Sequence, residues 1–171
     1  MKIARLETFT TPNIAFVRLT TDDGHSGIGQ MSTYHADITT QVFHRQVAPW
    51  VLGRPIDRDS PAADFADIAA VVHEREHKFP GSYVRRALAG LDTALWDLVA
   101  RLAEQPVASL IGGSSGPVRA YASSMKRDIT PDEEAARLCR LRDEKGFDAL
   151  KASLDVPWRP RAMHGRLQGR S

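Results

Sequence analysis

A run of side chains able to hold a metal stands at His73-Glu74-Arg75-Glu76-His77, followed by Lys78. Two histidines four residues apart share one face of a helix, as zinc ligands can. A solvated, charged helix end carries the same residues with no metal, and that is the expectation here. Cys139 is the only thiol. It excludes an internal disulfide and a cysteine-based zinc site. A partly buried, inert thiol is expected, because a reactive one needs an accessible, cationic setting. Arg159, Arg161, Arg166 and Arg170 crowd into residues 156–171, with no acid among them. Such a run could neutralise phosphates. The expectation is instead a disordered basic tail without a nucleic-acid partner, since its Pro, Gly, Gln and Ser show no periodicity that could build a core.

The rest of the composition narrows the class. The chain has 171 residues, 26% charged and 42% hydrophobic, which suits one soluble domain or a domain plus a fragment. It is short of the roughly 250 residues of a complete eight-stranded α/β barrel. Net charge is +2, but residues 1–155 hold 19 basic and 21 acidic side chains, a net of −2. The basic balance therefore belongs to the tail. No apolar run approaches the roughly 18 residues of a membrane-spanning helix, so no membrane association is expected. Met1-Lys2-Ile3-Ala4-Arg5-Leu6-Glu7 is charged where a secretory signal needs an apolar stretch. A cytoplasmic location is the expectation.

The elements that would position these groups follow from periodicity. Ile3 to Thr10 is β-prone. Ile14 to Thr20 alternates, with Ile14, Phe16 and Arg18 on one side and Ala15, Val17 and Leu19 on the other. Asp22-Asp23-Gly24 predicts a hairpin turn, and a third strand runs from about His25 to Met31. Such a meander has one apolar face that needs helices over it. Ile38, Val42, Phe43, Val47 and Val51 predict the first helix, with Pro49 limiting its end. Ser60-Pro61 predicts an N-cap followed by proline at the first helical position. Phe65, Ile68, Ala69 and Val72 form the stripe of that second helix. The longest helix is predicted over Tyr83 to Ala103, where Val84, Leu88, Leu91, Leu95, Leu98 and Leu102 recur every three or four residues. Ala87, Ala89, Gly90 and Ala94 between them allow close approach. Gly112-Gly113-Ser114-Ser115-Gly116-Pro117 marks a boundary. Beyond it come a strand at Val118–Ser123, a helix opened by the capping box Thr130-Pro131-Asp132-Glu133 and stopped near Gly146, and a strand at Phe147–Ala152. This β-α-β order implies parallel strands and a right-handed crossover.

The segment Ala89-Gly90-Leu91-Asp92-Thr93-Ala94-Leu95-Trp96-Asp97-Leu98, with Pro106-Val107 and Leu110-Ile111-Gly112-Gly113 after it, resembles the mandelate racemase/muconate lactonizing enzyme branch of the enolase superfamily. The resemblance runs from Met1 to about Lys151. It includes Gly27-Ile28-Gly29-Gln30, where the family usually has Gly-x-Gly-Glu, and Gly146-Phe147-Asp148-Ala149-Leu150-Lys151. It implies an α+β capping domain over residues 1–112, a three-stranded antiparallel meander plus helical bundle. Residues 118–152 would then be an incomplete β-α-β start of a TIM-type barrel, and residues 153–171 the tail. The family chemistry is abstraction of the proton α to a carboxylate, in dehydratases, racemases and cycloisomerases. Mg²⁺ held by carboxylates on later barrel strands stabilises the resulting anion. Those strands are not in this sequence, so no bound metal is expected here.

The resemblance also implies site residues. Lys151 matches the first lysine of the family's Lys-x-Lys motif at the end of barrel strand 2. Ser153 stands where the second, usually the base, belongs. A hydroxyl cannot replace a lysine of depressed pKa as a base. Tyr34 and His35, in the loop after the third strand, would read the distal part of a carboxylate or acid-sugar substrate. The short first loop, Thr11-Pro12-Asn13, would leave an open mouth suited to a polar, extended substrate. Ser123, with Ser124, falls at the end of barrel strand 1, where barrel active sites form. Lys126 nearby reads as a solvated charge. Asp92, Trp96 and Asp97 would hold the capping domain against the barrel. The broken motif and the unfamiliar tail together predict a catalytically inactive truncated form. The alternative is a non-catalytic module that binds a ligand or self-associates into a homo-oligomer through surface a barrel would otherwise cover.

Overall fold

Gly24, at φ +89°, lets the chain reverse at Asp22–Gly24 and closes the hairpin between the second and third strands. The computed structural model that shows this describes residues 1–114, 116–124, 126 and 128–152. Strands β1 (Ile3–Thr10), β2 (Ala15–Thr21) and β3 (Ser26–Gln30) form an antiparallel sheet in sequence order. Leu6 pairs with Leu19 and Thr8 with Val17, while Val17 and Leu19 also face Gly29 and Gly27. Ala15, Val17, Leu19 and Thr21 are buried, and Phe16 and Arg18 point the other way, as the period-two alternation requires.

The long helix packs on that buried face. Its range is Ser82–Ala103, and it is α4 in chain order. Val84, Leu88, Leu91, Leu95 and Leu98 are buried along it, with Leu102 at the margin of the core. Contact with β3 is backbone to backbone. A Cβ on Gly29 would run into the Gly90 carbonyl and lie 2.6 Å from Ala94 N, and one on Gly27 would run into the Ala94 carbonyl. The strand is also pinned: the Ile28 N–H donates to Asp97 Oδ2 at 2.9 Å, and Arg101 Nε donates to the same oxygen. Asp97 thus joins strand to helix inside the domain.

The first predicted helix is real but not regular. It comprises α1 (Ala36–Val42), a wider π turn (Phe43–Val47) and α2 (Ala48–Val51). Pro49 does not end it. The Ala48 N–H already reaches back five residues to the Phe43 carbonyl, so the ladder has shifted before the proline that lacks an N–H. The same shift sets the buried face, which holds Phe43, Val47 and Val51 and leaves Ile38 exposed. Helix α3 (Pro61–Arg75) starts at Ser60 with proline in its first turn, although the Ser60 side chain makes no cap bond. A one-turn helix, α5 (Val107–Leu110), follows Pro106.

Contacts divide the chain into two units, Met1–Ser115 and Gly116–Ser171. In the second, strands β4 (Ala122–Ser123) and β5 (Leu150–Lys151) pair in parallel around α6 (Pro131–Lys145). The capping box is complete: the Glu133 N–H donates to Thr130 Oγ1, and the Thr130 N–H to Glu133 Oε2. Gly146 closes the helix at φ +72°. Both strands are shorter than the alternation predicts, and Val118 is 89% exposed. Among the described residues β4 and β5 pair only with each other, so hydrogen bonding orders two residues on each. Cys139 is exposed, contrary to expectation. The buried side chain of α6 is Glu134, and Cys139 lies about 140° around the helix from it. Ser153 and the arginine tail lie outside the described residues.

Candidate functional site

The loop between β3 and α1 is built against the ordinary preferences of its residues. Met31 is buried, and its N–H continues the sheet by donating to the Ala15 carbonyl at 2.8 Å. The chain then turns through two consecutive left-handed residues, Tyr34 at φ 64° and His35 at φ 53°. Each costs about 1–2 kcal/mol relative to a right-handed residue, so the surroundings must impose them. The His35 carbonyl accepts from both the N–H and the hydroxyl of Thr39. The Ala36 N–H donates to the Pro12 carbonyl, tying this loop to the first one. Arg86, from the first turns of α4, donates from Nη1 to the Tyr34 carbonyl at 3.4 Å and stacks over Tyr83. The outcome is a Tyr34 side chain 72% exposed beside an exposed His35.

Next to this loop lies an open concavity of about 590 Å³. Gln30, Ser32, Thr33, Ser82, Arg85 and Arg86 line it, over a floor that includes Met31. The sequence reading missed it. The signal was the doublet Arg85-Arg86 between Val84 and Leu88 at the start of the α4 stripe, which places two cations at the helix end nearest the loop.

In the second unit, the parallel register sets Ser123 beside Lys151. Both are exposed. The Ser124 N–H donates to the Lys151 carbonyl at 2.8 Å and fixes the strand end. Ser124 itself is 2% exposed, and its Oγ is buried without a partner of full hydrogen-bond geometry. Glu134 is 3% exposed and takes a two-pronged bond from Arg137, with Nε and Nη2 each at 2.9 Å. That guanidinium holds the Glu134 carboxyl down at about 2.

The run from His73 to His77 does have the His-Glu-x-x-His spacing of a zinc motif. The structure dismantles it. Helix α3 ends at Arg75, and His77 sits in the turn beyond with Nδ1 on the Glu74 carbonyl. Glu76 instead accepts from Gln46 and from the Trp50 indole. Among the described residues no group of three or more His, Cys, Asp or Glu side chains is placed to hold a metal. Mg²⁺ needs several oxygen ligands, so the described residues do not fit it. Asp92 and Trp96 border two separate grooves of the first unit. Burial raises the Asp92 carboxyl, partly offset by the Trp96 indole, and Trp96 stacks edge-on against Phe65. Among the described residues, no helix is long and apolar enough to cross a membrane.

Known proteins share this architecture. The model of the mandelate racemase/muconate lactonizing enzyme N-terminal domain matches residues 1–112. A D-mannonate dehydratase from Rhizorhabdus wittichii is 30% identical over 149 residues, which is 85% of this chain and 34% of that protein. A D-galactonate dehydratase family member from Pseudarthrobacter chlorophenolicus is 27% identical, covering 92% of this chain and 37% of that one. The crystal structure of a proposed racemase from Roseobacter denitrificans is 59% identical with a TM-score of 0.82, over 89% of this chain and 40% of its own. A mandelate racemase/muconate lactonizing protein from Paracoccus denitrificans, complexed with magnesium, is 29% identical with a TM-score of 0.75, over 90% of this chain and 42% of its own. The chain thus spans about a third of the length of the curated relatives it matches.

Proposed function

The chain belongs to the mandelate racemase/muconate lactonizing enzyme family of the enolase superfamily, and from that premise we propose that it carries the substrate-reading lid of an enzyme that removes the proton α to the carboxylate of an acid sugar. The observation that carries this reading is the Tyr34–His35 loop. Two left-handed residues are held at a strand-to-helix junction, with their side chains outward and Arg86 braced behind them. Such imposed strain is concentrated at sites where geometry matters more than stability. Tyr34 and His35 then bond the hydroxyls of an extended polar substrate, and the short Thr11–Asn13 loop keeps the mouth open.

Lys151 and Ser123 are the start of the reaction floor. An amine accepts a proton only when neutral, and a lysine does so once its surroundings depress its pKa. Ser123, one strand away in register, holds a substrate hydroxyl. The family's second lysine is replaced by Ser153. Mg²⁺ would supply charge stabilisation of the developing enediolate in a complete barrel. The 171 residues by themselves are therefore catalytically inactive on this reading. A panel of acid sugars incubated with the chain and MgCl₂ tests it: no substrate should be consumed. Consumption that disappears in Lys151→Ala would refute the inactivity and place the base in this chain.

A second reading, a self-associating module, is favoured by one feature. Phe9, Phe16 and Ile28 are exposed together on the outer face of the sheet. Light scattering would show a concentration-dependent rise in mass, lost in Phe16→Lys. A monomer up to high concentration would reject it.

A further inference from the structure

We propose that Glu134 is a positioning residue for Ser123 and Lys151: clamped by Arg137, its carboxylate anchors the Ser124 hydroxyl and so fixes the strand end from which that pair projects. The inference rests on the reading of Ser123 and Lys151 as the start of the reaction floor. Among the described residues, the buried side chain of α6 is this carboxylate, at 3% exposure. A charge out of water is tolerated only when it is paired and hydrogen-bonded. Arg137 supplies the pairing from one turn further along the helix, with both prongs at 2.9 Å. The carboxyl is held at about 2 and stays ionised, so it can only accept hydrogen bonds. Ser124 is the remaining donor. Its Oγ is buried, and its hydroxyl adds to Arg137 in holding the Glu134 carboxyl down.

Ser124 is where this anchor meets the floor. Ala122 and Ser124 are buried and Ser123 between them is exposed, so successive side chains alternate between the two faces of the strand. The Ser124 side chain is engaged by α6, while Ser123 faces the other way. The backbone of Ser124 completes the link. Its N–H donates to the Lys151 carbonyl at 2.8 Å, and the Ala122 N–H donates to the Ala149 carbonyl at 3.0 Å, so the two bonds flank Ser123. The paired strands are two residues long, and in so short a ladder the bond from Ser124 weighs heavily in setting the register of Ser123 beside Lys151. A Ser124 side chain released from Glu134 would leave its backbone N–H free to turn away from the Lys151 carbonyl.

The test is NMR of the ¹⁵N,¹³C-labelled full chain at neutral pH, comparing the parent with Ser124→Ala and Glu134→Gln. Ser124→Ala is expected to speed hydrogen exchange of the amide at position 124 about tenfold, the size of one net hydrogen bond. It should also move the Lys151 carbonyl carbon upfield, as loss of a donor does. The amides of Ala122 and of residues 135–145 should keep their rates within about twofold, which shows strand and helix intact. Glu134→Gln should change the same two signals in the same direction. Ser124→Ala removes a single oxygen and carries the test alone if Glu134→Gln unfolds the helix. D-Galactonate, added to each protein as a sugar-acid probe, reports on the floor separately. It should shift Ser123 and Lys151 in the parent and bind at least threefold more weakly to Ser124→Ala. Unchanged exchange at position 124, or a rise shared equally by Ala122 and α6, would overturn the positioning role, and the floor reading would stand if galactonate still shifts Ser123 and Lys151. Galactonate binding unaltered in Ser124→Ala would overturn the positioning role as well. The expected exchange pattern with no galactonate shift at Ser123 or Lys151 would overturn the floor reading and leave the anchor standing.

Discussion

The contact that joins sheet to helix in the first unit is the close approach of β3 to α4, and Gly29→Ala tests it. The added Cβ would lie 2.6 Å from Ala94 N and 3.0 Å from Thr93 Cβ, besides striking the Gly90 carbonyl. Ordinary contact begins near about 3.5 Å, so the strand must retreat by roughly 1 Å. Two of these three atoms are helix backbone and cannot rotate away. A gap of that size forfeits roughly a quarter to a half of each dispersion well along the seam, and it also stretches the bond from Ile28 to Asp97. Overpacking of this kind costs about 2–3 kcal/mol. For a domain of this size that corresponds to a fall in melting temperature of about 10 °C. Thermal unfolding followed by Trp fluorescence reports it, since Trp50 and Trp96 both lie in the first unit. Gly24→Ala is the control: its Cβ would meet nothing within 4 Å, so only the left-handed backbone is penalised, by about 1 kcal/mol. A Gly29→Ala protein melting within 2 °C of the parent, or above the Gly24→Ala protein, would refute the backbone-to-backbone seam.

Two further outcomes follow from the second unit. The Glu134 carboxyl, held at about 2 by Arg137, lies below its ordinary value, and Glu133 is lowered by its bonds to Thr130. A depressed carboxyl stabilises the fold above its unfolded pKa and loses that contribution as pH falls through the folded value. Amide protection over residues 131–145 should therefore decline between about pH 4.5 and pH 2, and Glu134→Gln should flatten the lower part of that decline; an unchanged profile would count against the pair. Cys139, being exposed, should take up one equivalent of a thiol reagent in the native chain, whereas reaction only after denaturation would contradict its placement.

Most of this fold was legible because its signals are local. The stripe from Val84 to Leu98, the turn at Gly24 and the Thr130–Glu133 capping box each need only neighbouring residues to be read. Pro49 misled because its usual helix-ending effect is absorbed by a π turn that no composition signal announces. Cys139 misled because the buried side of α6 is set by Glu134, and Cys139 lies about 140° around the helix from it. The site was legible only through the family resemblance, which pointed to Tyr34, His35, Ser123 and Lys151. What holds the Tyr34 turn and the β3–α4 seam came from long-range geometry. The Arg86 brace joins residues 52 apart, and Asp97 reaches Ile28 across 69. Neither spacing carries a sequence signal.

The central claim is that this chain reads an acid sugar without transforming it, and exchange of the substrate α-proton tests that most directly. Incubation of the full chain with MgCl₂ and acid sugars in D₂O, followed by ¹H NMR, detects proton abstraction whether the product is a dehydrated, racemised or cyclised acid. The account predicts no loss of the α-proton signal beyond the protein-free control. Mg²⁺-dependent exchange that vanishes in Lys151→Ala would contradict it.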